Sequence, residues 1–233
     1  MHKILFVCHG NICRSPTAEF YMKSLVKKAG LEKEFEIASA ATHEDALGDS
    51  VYPPTRRILT KHGMDCSGKT ARLMTAADYL YYDLLIGMDE YNLQDMEFIS
   101  GGDPKNKLHS LMEYAGRPHD SVADPWYTRN FEQTWLDISA GCQGLLEALC
   151  PLVILDFSFC RSRSELYSVM RSKMGWEDWY GSNLDALYDV LTGFRSKNRR
   201  FLLIMPELDA PRELREYADR VYAVFAEARQ ELN

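Results

Sequence analysis

KILFVCHGNICRSPTAEF, residues 3–20, decides the architecture, because it passes from an apolar run through a compact polar loop into a helix start. KILFVC (3–8) is apolar without helical periodicity, the pattern of a strand covered on both faces of a parallel sheet. Pro16 suits a first helical turn, with Ser15 before it as a cap. Phe20, Tyr21, Leu25 and Val26 supply an apolar side, and Gly30 is a stop signal. A strand that feeds a tight loop and then a helix N-terminus aims successive N–H groups and the positive end of the helix dipole at one point. An anion the size of phosphate fits such a cradle.

The alternation continues outward. FEIASAA (35–41) reads as a second strand, PTRRILTKHG (54–63) as a helix closed by glycine, and DLLIGM (83–88) as a third strand. DEYNLQDMEFI (89–99) then reads as a helix, KLHSLME (107–113) as a weaker strand, and FEQTWLDISAGCQGLLEALC (131–150) as a long helix in spite of its two glycines. Strands alternating with helices predict an α/β fold with a doubly wound, four-stranded parallel sheet, whose ligands bind beyond the carboxyl ends of the strands. At Pro151 the pattern restarts. PLVILDFS (151–158) reads as a strand, SRSELYSVMRSKMG (162–175) and SNLDALYDVLTG (182–193) as helices, RFLLIMPE (200–207) as a strand, and 210–233 as a long helix. The restart divides the chain into domains 1–150 and 151–233, with no low-complexity linker between them.

The 233 residues carry a net charge of −7, most of it before residue 150, which argues against a nucleic-acid partner. The basic run RSKNRR (195–200) reads as a solvated connection. No stretch of about 18 apolar residues suggests a membrane span, and the N-terminus lacks the form of a signal peptide, so a cytoplasmic location is expected. Cys8, Cys13, Cys66, Cys142, Cys150 and Cys160 are too scattered for a disulfide scaffold. The six histidines show no ligand spacing, so no metal and no cofactor is expected.

Within the loop each residue type has a chemical use. The field that attracts phosphate also favours the Cys8 thiolate and makes it a nucleophile. Arg14, six positions on, can turn its guanidinium fork to two phosphoryl oxygens beside the sulfur, a geometry lysine cannot match. Gly10 permits close backbone approach, Asn11 tolerates positive φ and can brace the loop, and the Ser15 hydroxyl can donate to the thiolate.

The whole stretch VCHGNICRSPTAE resembles the active-site signature of the low-molecular-weight protein tyrosine phosphatases, V-C-x-G-N-x-C-R-S-P-x-A-E. The resemblance covers about residues 1 to 150. SAAT (39–42), KHGMD (61–65), SGKTARLMT (67–75), MDEYNL (88–93) and ADPWY (123–127) match further family segments. It implies phosphotyrosine or another aryl phosphate monoester of a protein as substrate, Cys8 as nucleophile and His9, Gly10, Asn11, Ile12, Cys13, Arg14 and Ser15 as the phosphate cradle. It further implies Asp124 as proton donor and then base, Ile12, Trp126 and Tyr127 around the aromatic ring, Asp89 as a supporting acid, and Cys13 as a redox partner of Cys8. Double displacement through a phosphocysteine is the implied mechanism. Two relatives of the same fold fit less well: arsenate reductases need two further relay cysteines, whereas residues 73–141 contain none, and arginine phosphatases carry a small Thr where Ile12 stands. The competing reading from another class is a binding protein or ribonuclease inhibitor with a vestigial phosphate loop.

MGWEDWYGSNLDALYDVLTG (174–193) resembles barstar, an intracellular ribonuclease inhibitor, and the order of elements over 151–233 is similar to it. The resemblance implies a small α/β domain with a partner-binding face on Trp179, Tyr180, Asp185 and Asp189, the aspartates standing in for RNA phosphates. The same segment also reads simply as the fold's internal signature, with Asn183 capping a helix and the aspartates solvated.

Overall fold

The computed structural model describes residues 1–175, 182–193 and 200–231. The chain divides into two compact units, the first Met1–Leu149 and the second beginning at Cys150.

In the first unit β1 (His2–Cys8) leads into α1 (Arg14–Lys28), β2 (Phe35–Ala41), α2 (Pro53–Lys61), α3 (Ala76–Tyr81) and β3 (Leu84–Gly87). There follow α4 (Glu90–Ser100), β4 (Leu108–Ser110), α5 (Leu111–Tyr114), α6 (Pro125–Thr128) and α7 (Phe131–Leu149). The four strands form one parallel sheet in the order β2-β1-β3-β4. Ile4, Leu5, Phe6 and Val7 of β1 are fully buried, which explains why its sequence is apolar without alternation. Each such side chain contributes about 1.5–3 kcal/mol through its burial. Because β1 has β2 on one side and β3 on the other, its carboxyl end is the topological switch point, and Cys8, paired with Ala41, sits there.

Two local readings are corrected. Ser15 does not cap α1: the helix begins at Arg14, and the Ser15 hydroxyl lies inside the first turn, committed to the loop. The segment 107–113 is a strand only to Ser110, because Ser110 and Glu113 form a reciprocal capping box that starts α5 at Leu111. Pro125 to Thr128 is a single helical turn capped by Asp124, whose Oδ1 accepts from the Trp126 N–H at 2.9 Å. The short helix α3, which carries no period long enough to read, is set by a Thr75–Asp78 capping box.

The two glycines of α7 have a packing cause. A methyl group at Gly141 would come within 2.5 Å of the Leu111 side chain, and one at Gly144 would overlap the Tyr114 carbonyl. The helix accepts a propensity cost of about 1 kcal/mol at each glycine in return for close approach of α5.

The second unit contains β5 (Leu152–Asp156), α8 (Arg163–Met174), α9 (Leu184–Thr192), β6 (Arg200–Ile204) and α10 (Arg212–Glu231), with β5 and β6 parallel. Both strands stop earlier than read. Asp156 ends β5 by accepting from the Ser158 N–H and hydroxyl, and Pro206, which has no N–H to give a ladder, follows β6 closely. Leu155, Phe157, Leu166, Met170, Leu187 and Val221 form its core.

Candidate active site

The loop after β1 is held from the β2 side. The Cys8 carbonyl accepts from the Thr42 N–H and the His9 carbonyl from the His43 N–H, both at 3.0 Å, while the Ile12 carbonyl accepts from the Tyr52 N–H at 2.9 Å. Asn11 takes the left-handed conformation, φ 54°, that lets the chain turn back on itself. Gly10 has no such requirement: a methyl group there would make an ordinary 3.5 Å contact with Ala46, so the protein's own packing does not exclude a side chain. The N–H groups of Arg14 and Ser15 belong to the first turn of α1 and have no partner within the helix.

Around this loop the charged groups converge. Arg14 is buried, and its Nη2 forms an ion pair with Asp124 Oδ2 at 2.6 Å while its Nη1 donates to Asp89 Oδ2. Burial works against the Arg14 charge, but the nearby Cys8, Asp124 and Asp89 outweigh it and hold the guanidinium above its ordinary value. Asp89 also caps α4, its Oδ1 accepting from the Asn92 N–H at 2.7 Å. The Cys8 sulfur lies 3.0 Å from the Ser15 hydroxyl. Cys13 is buried beside the loop, where desolvation pushes its thiol up to about 12, and both it and Cys8 are free thiols.

Of the residues singled out in the sequence, Cys8, Arg14, Ser15, Asp89 and Asp124 are brought together. His9 is at the rim, stacked on His43 with ring centroids 4.0 Å apart and its Nε2 2.6 Å from Asp45. The two aromatics differ. Trp126 leans edge-on against Tyr52 at 5.7 Å and is 49% exposed, whereas Tyr127 is 83% exposed. Tyr52, whose N–H binds the Ile12 carbonyl, thereby lies between the loop and Trp126, a placement its sequence gave no reason to expect. In the second unit Asp185 and Asp189 are both exposed on α9, with Asn183 capping that helix through a 2.8 Å bond from the Ala186 N–H. Trp179 and Tyr180 lie outside the described residues. Among the described residues no group of three or more His, Cys, Asp or Glu could hold a metal ion, and no helix is long and apolar enough to cross a membrane.

Residues 3–151 match the family model for low molecular weight phosphotyrosine protein phosphatase, and residues 150–233 match that for Barstar (barnase inhibitor). Over 153 residues the chain is 35% identical to the low molecular weight protein-tyrosine-phosphatase YfkJ of Bacillus subtilis, covering 64% of this chain and 96% of YfkJ. It is 33% identical over 147 residues to PtpA of Staphylococcus aureus, which bears the same description, covering 63% of this chain and 93% of PtpA. The crystal structure of YfkJ superimposes with a TM-score of 0.62 over 64% of this chain and 94% of that one. That of the low molecular weight protein tyrosine phosphatase from Streptococcus pyogenes gives 0.57 at 36% identity, over 64% of this chain and 94% of that one.

Proposed function

The chain belongs to the low molecular weight phosphotyrosine protein phosphatase family, and on that premise we propose that it hydrolyses phosphotyrosine through a phosphocysteine. The observation that carries this reading is the meeting of Cys8, Arg14 and Asp124 at the switch point of the sheet. Asp124 lies on the guanidinium edge that a phosphoryl oxygen would need. Substrate phosphate takes that edge, and Asp124, protonated from solvent, faces the leaving oxygen as a carboxylic acid. The Cys8 thiolate attacks phosphorus, the P–O bond to the ring breaks, and Asp124 gives its proton to the departing phenolate. Water then attacks the phosphocysteine, passing a proton to Asp124 while the P–S bond breaks, and thiolate and phosphate are regenerated. Arg14 and the loop N–H groups hold the equatorial oxygens throughout. Ile12, Tyr52 and Trp126 offer a flat aromatic ring an apolar wall.

General acid catalysis counts most when the leaving group is poor. Asp124→Asn is therefore expected to slow phenyl phosphate by about 10²- to 10³-fold and p-nitrophenyl phosphate by much less. Equal losses on the two substrates would remove Asp124 from the proton-transfer role.

For residues 151–233 the proposal is a protein-binding module whose face includes Asp185 and Asp189. The support is the barstar family match together with the exposure of both carboxylates, four residues apart on α9. A ribonuclease of the barnase type is the probe that the match suggests. With the full chain, Asp185→Ala/Asp189→Ala is expected to slow association with barnase about tenfold at low ionic strength, and added salt should shrink that difference. Undiminished binding by the double variant would exclude these two aspartates from the face.

A further inference from the structure

The single turn α6 carries a charged residue at each end, and the hydrolytic mechanism uses only one of them. Asp124 caps its start and pairs with Arg14, while Arg129 caps its end, the Arg129 N–H donating to the Pro125 carbonyl at 3.1 Å. Arg129 holds the left-handed conformation, φ 57°. The other non-glycine residues with positive φ among the described residues are Asn11 and Asn106, and asparagine tolerates this region. Glycine would close the α6 turn with less strain than arginine does, so the backbone gives no reason for arginine here. The reason has to lie in its side chain.

That side chain is exposed and lies over the Trp126 ring, its guanidinium carbon 5.5 Å from the centroid. The carboxylates nearest to it in sequence are committed elsewhere, Asp124 to Arg14 and Glu132 to Lys61 at 3.3 Å, and among the described residues none forms an ion pair with Arg129. The other cationic groups near the mouth are differently placed. His9 is held by Asp45 at 2.6 Å, His43 lies 3.5 Å from Asp95, and the Arg56 guanidinium donates to the Ser50 hydroxyl at 3.1 Å. A guanidinium over an aromatic ring is steadied by the ring and keeps its N–H donors for another group. Arg129 is thus a steadied cation at the edge of the site with its hydrogen-bonding fork uncommitted.

We propose that Arg129 is a specificity-determining residue, binding the carboxylate of an acidic residue next to the phosphotyrosine of a protein substrate. The inference rests on the phosphotyrosine reading of the site. Five residues separate Asp124 from Arg129, a rise of about 7–8 Å, to which the arginine adds the length of its own side chain. With the leaving oxygen at Asp124, a neighbouring residue of an extended peptide, about 3.5 Å further along the chain, falls within that reach. An acidic flank that ran over His9 instead would meet the exposed Asp45 carboxylate. Because the flank does not change shape during phosphoryl transfer, the contact is equally strong in ground state and transition state. It therefore lowers KM and leaves kcat nearly as it was.

The test is steady-state hydrolysis by the full chain of two synthetic phosphotyrosine peptides, one with glutamate on both sides of the phosphotyrosine and the other with glutamine. Wild-type protein is expected to favour the glutamate peptide about three- to fivefold in kcat/KM, through KM, which is what one partly screened ion pair returns. Added salt should shrink that preference. Arg129→Gln is expected to bring the ratio close to one, and Arg129→Lys, which keeps the charge without the planar fork, should retain part of it. Arg129→Gly suits the backbone of the turn, so it should fold and give the same ratio as Arg129→Gln. A purely structural arginine would lower both peptides alike and leave the ratio where it was. A wild-type ratio near one overturns the proposal, and so does a folded Gln or Gly variant that keeps the wild-type ratio. Wild-type protein that turns over neither peptide overturns the phosphotyrosine reading itself, and the proposal falls with it.

Discussion

Cys8→Ser is expected to lower turnover of aryl phosphates by about 10⁴-fold or more while leaving phosphate binding nearly intact. The hydroxyl is close in shape to the thiol but is not ionised under conditions where a cysteine in this cradle attacks, so the reaction loses its nucleophile and keeps its anion site. Arg14, Asn11 and Ser15 are fixed by partners other than the sulfur: Arg14 by Asp89 and Asp124, Asn11 by Lys69 and the Arg72 N–H, Ser15 by Asn11. The variant should therefore fold, hold inorganic phosphate, and retain a phosphotyrosine protein without releasing it. The measurement is steady-state turnover of p-nitrophenyl phosphate beside calorimetric titration with phosphate. Residual activity within about a hundredfold of wild type would show that another group attacks phosphorus, and the phosphocysteine would have to be abandoned. Loss of both activity and phosphate binding would mean that the sulfur also helps to shape the loop.

Much of this site is legible in the sequence because its parts are contiguous. A strand, a five-residue turn and a helix start put Cys8, Asn11, Arg14 and Ser15 within eight positions of one another, and the spacing alone brings them round one point. The sheet is legible for the same reason: β1 is apolar on both faces and can sit only in the middle. The parts that were not legible are those made by distant segments. Lys69 and Tyr52 reach the loop across 58 and 40 positions, and a lysine after a glycine in a turn looks like any solvated turn residue. Nothing in local periodicity says that its ammonium is buried against Asn11. Boundaries failed where capping outweighed pattern, as at Ser110, whose hydroxyl turns an apparent strand into a helix start. The glycines of α7 show the reverse case. They look like a weakness in a helix until α5 is seen to lie where their side chains would be.

Arg14→Lys is expected to cost about 10²- to 10³-fold in kcat/KM although it conserves the charge, and the reason lies in how many partners the guanidinium serves. One guanidinium nitrogen holds Asp89 and the other holds Asp124. When phosphate arrives, the planar fork can keep Asp89 on one edge while the other turns from Asp124 to the phosphoryl oxygens. A lysine ammonium is a single point on a flexible stem. It can satisfy the partly buried Asp89 or follow the phosphoryl group as it flattens toward the transition state, and it cannot do both with fixed geometry. Since the transferring group changes shape most between ground state and transition state, the deficit should fall mainly on kcat, and the inhibition constant of inorganic phosphate should rise by much less. The two quantities are measured on one preparation, whose thermal midpoint checks that Asp89 has not been left unpaired. A kcat close to wild type with weakened phosphate inhibition would reduce Arg14 to a generic anion anchor. A large fall in kcat with phosphate inhibition little changed would place the guanidinium on the transition state itself.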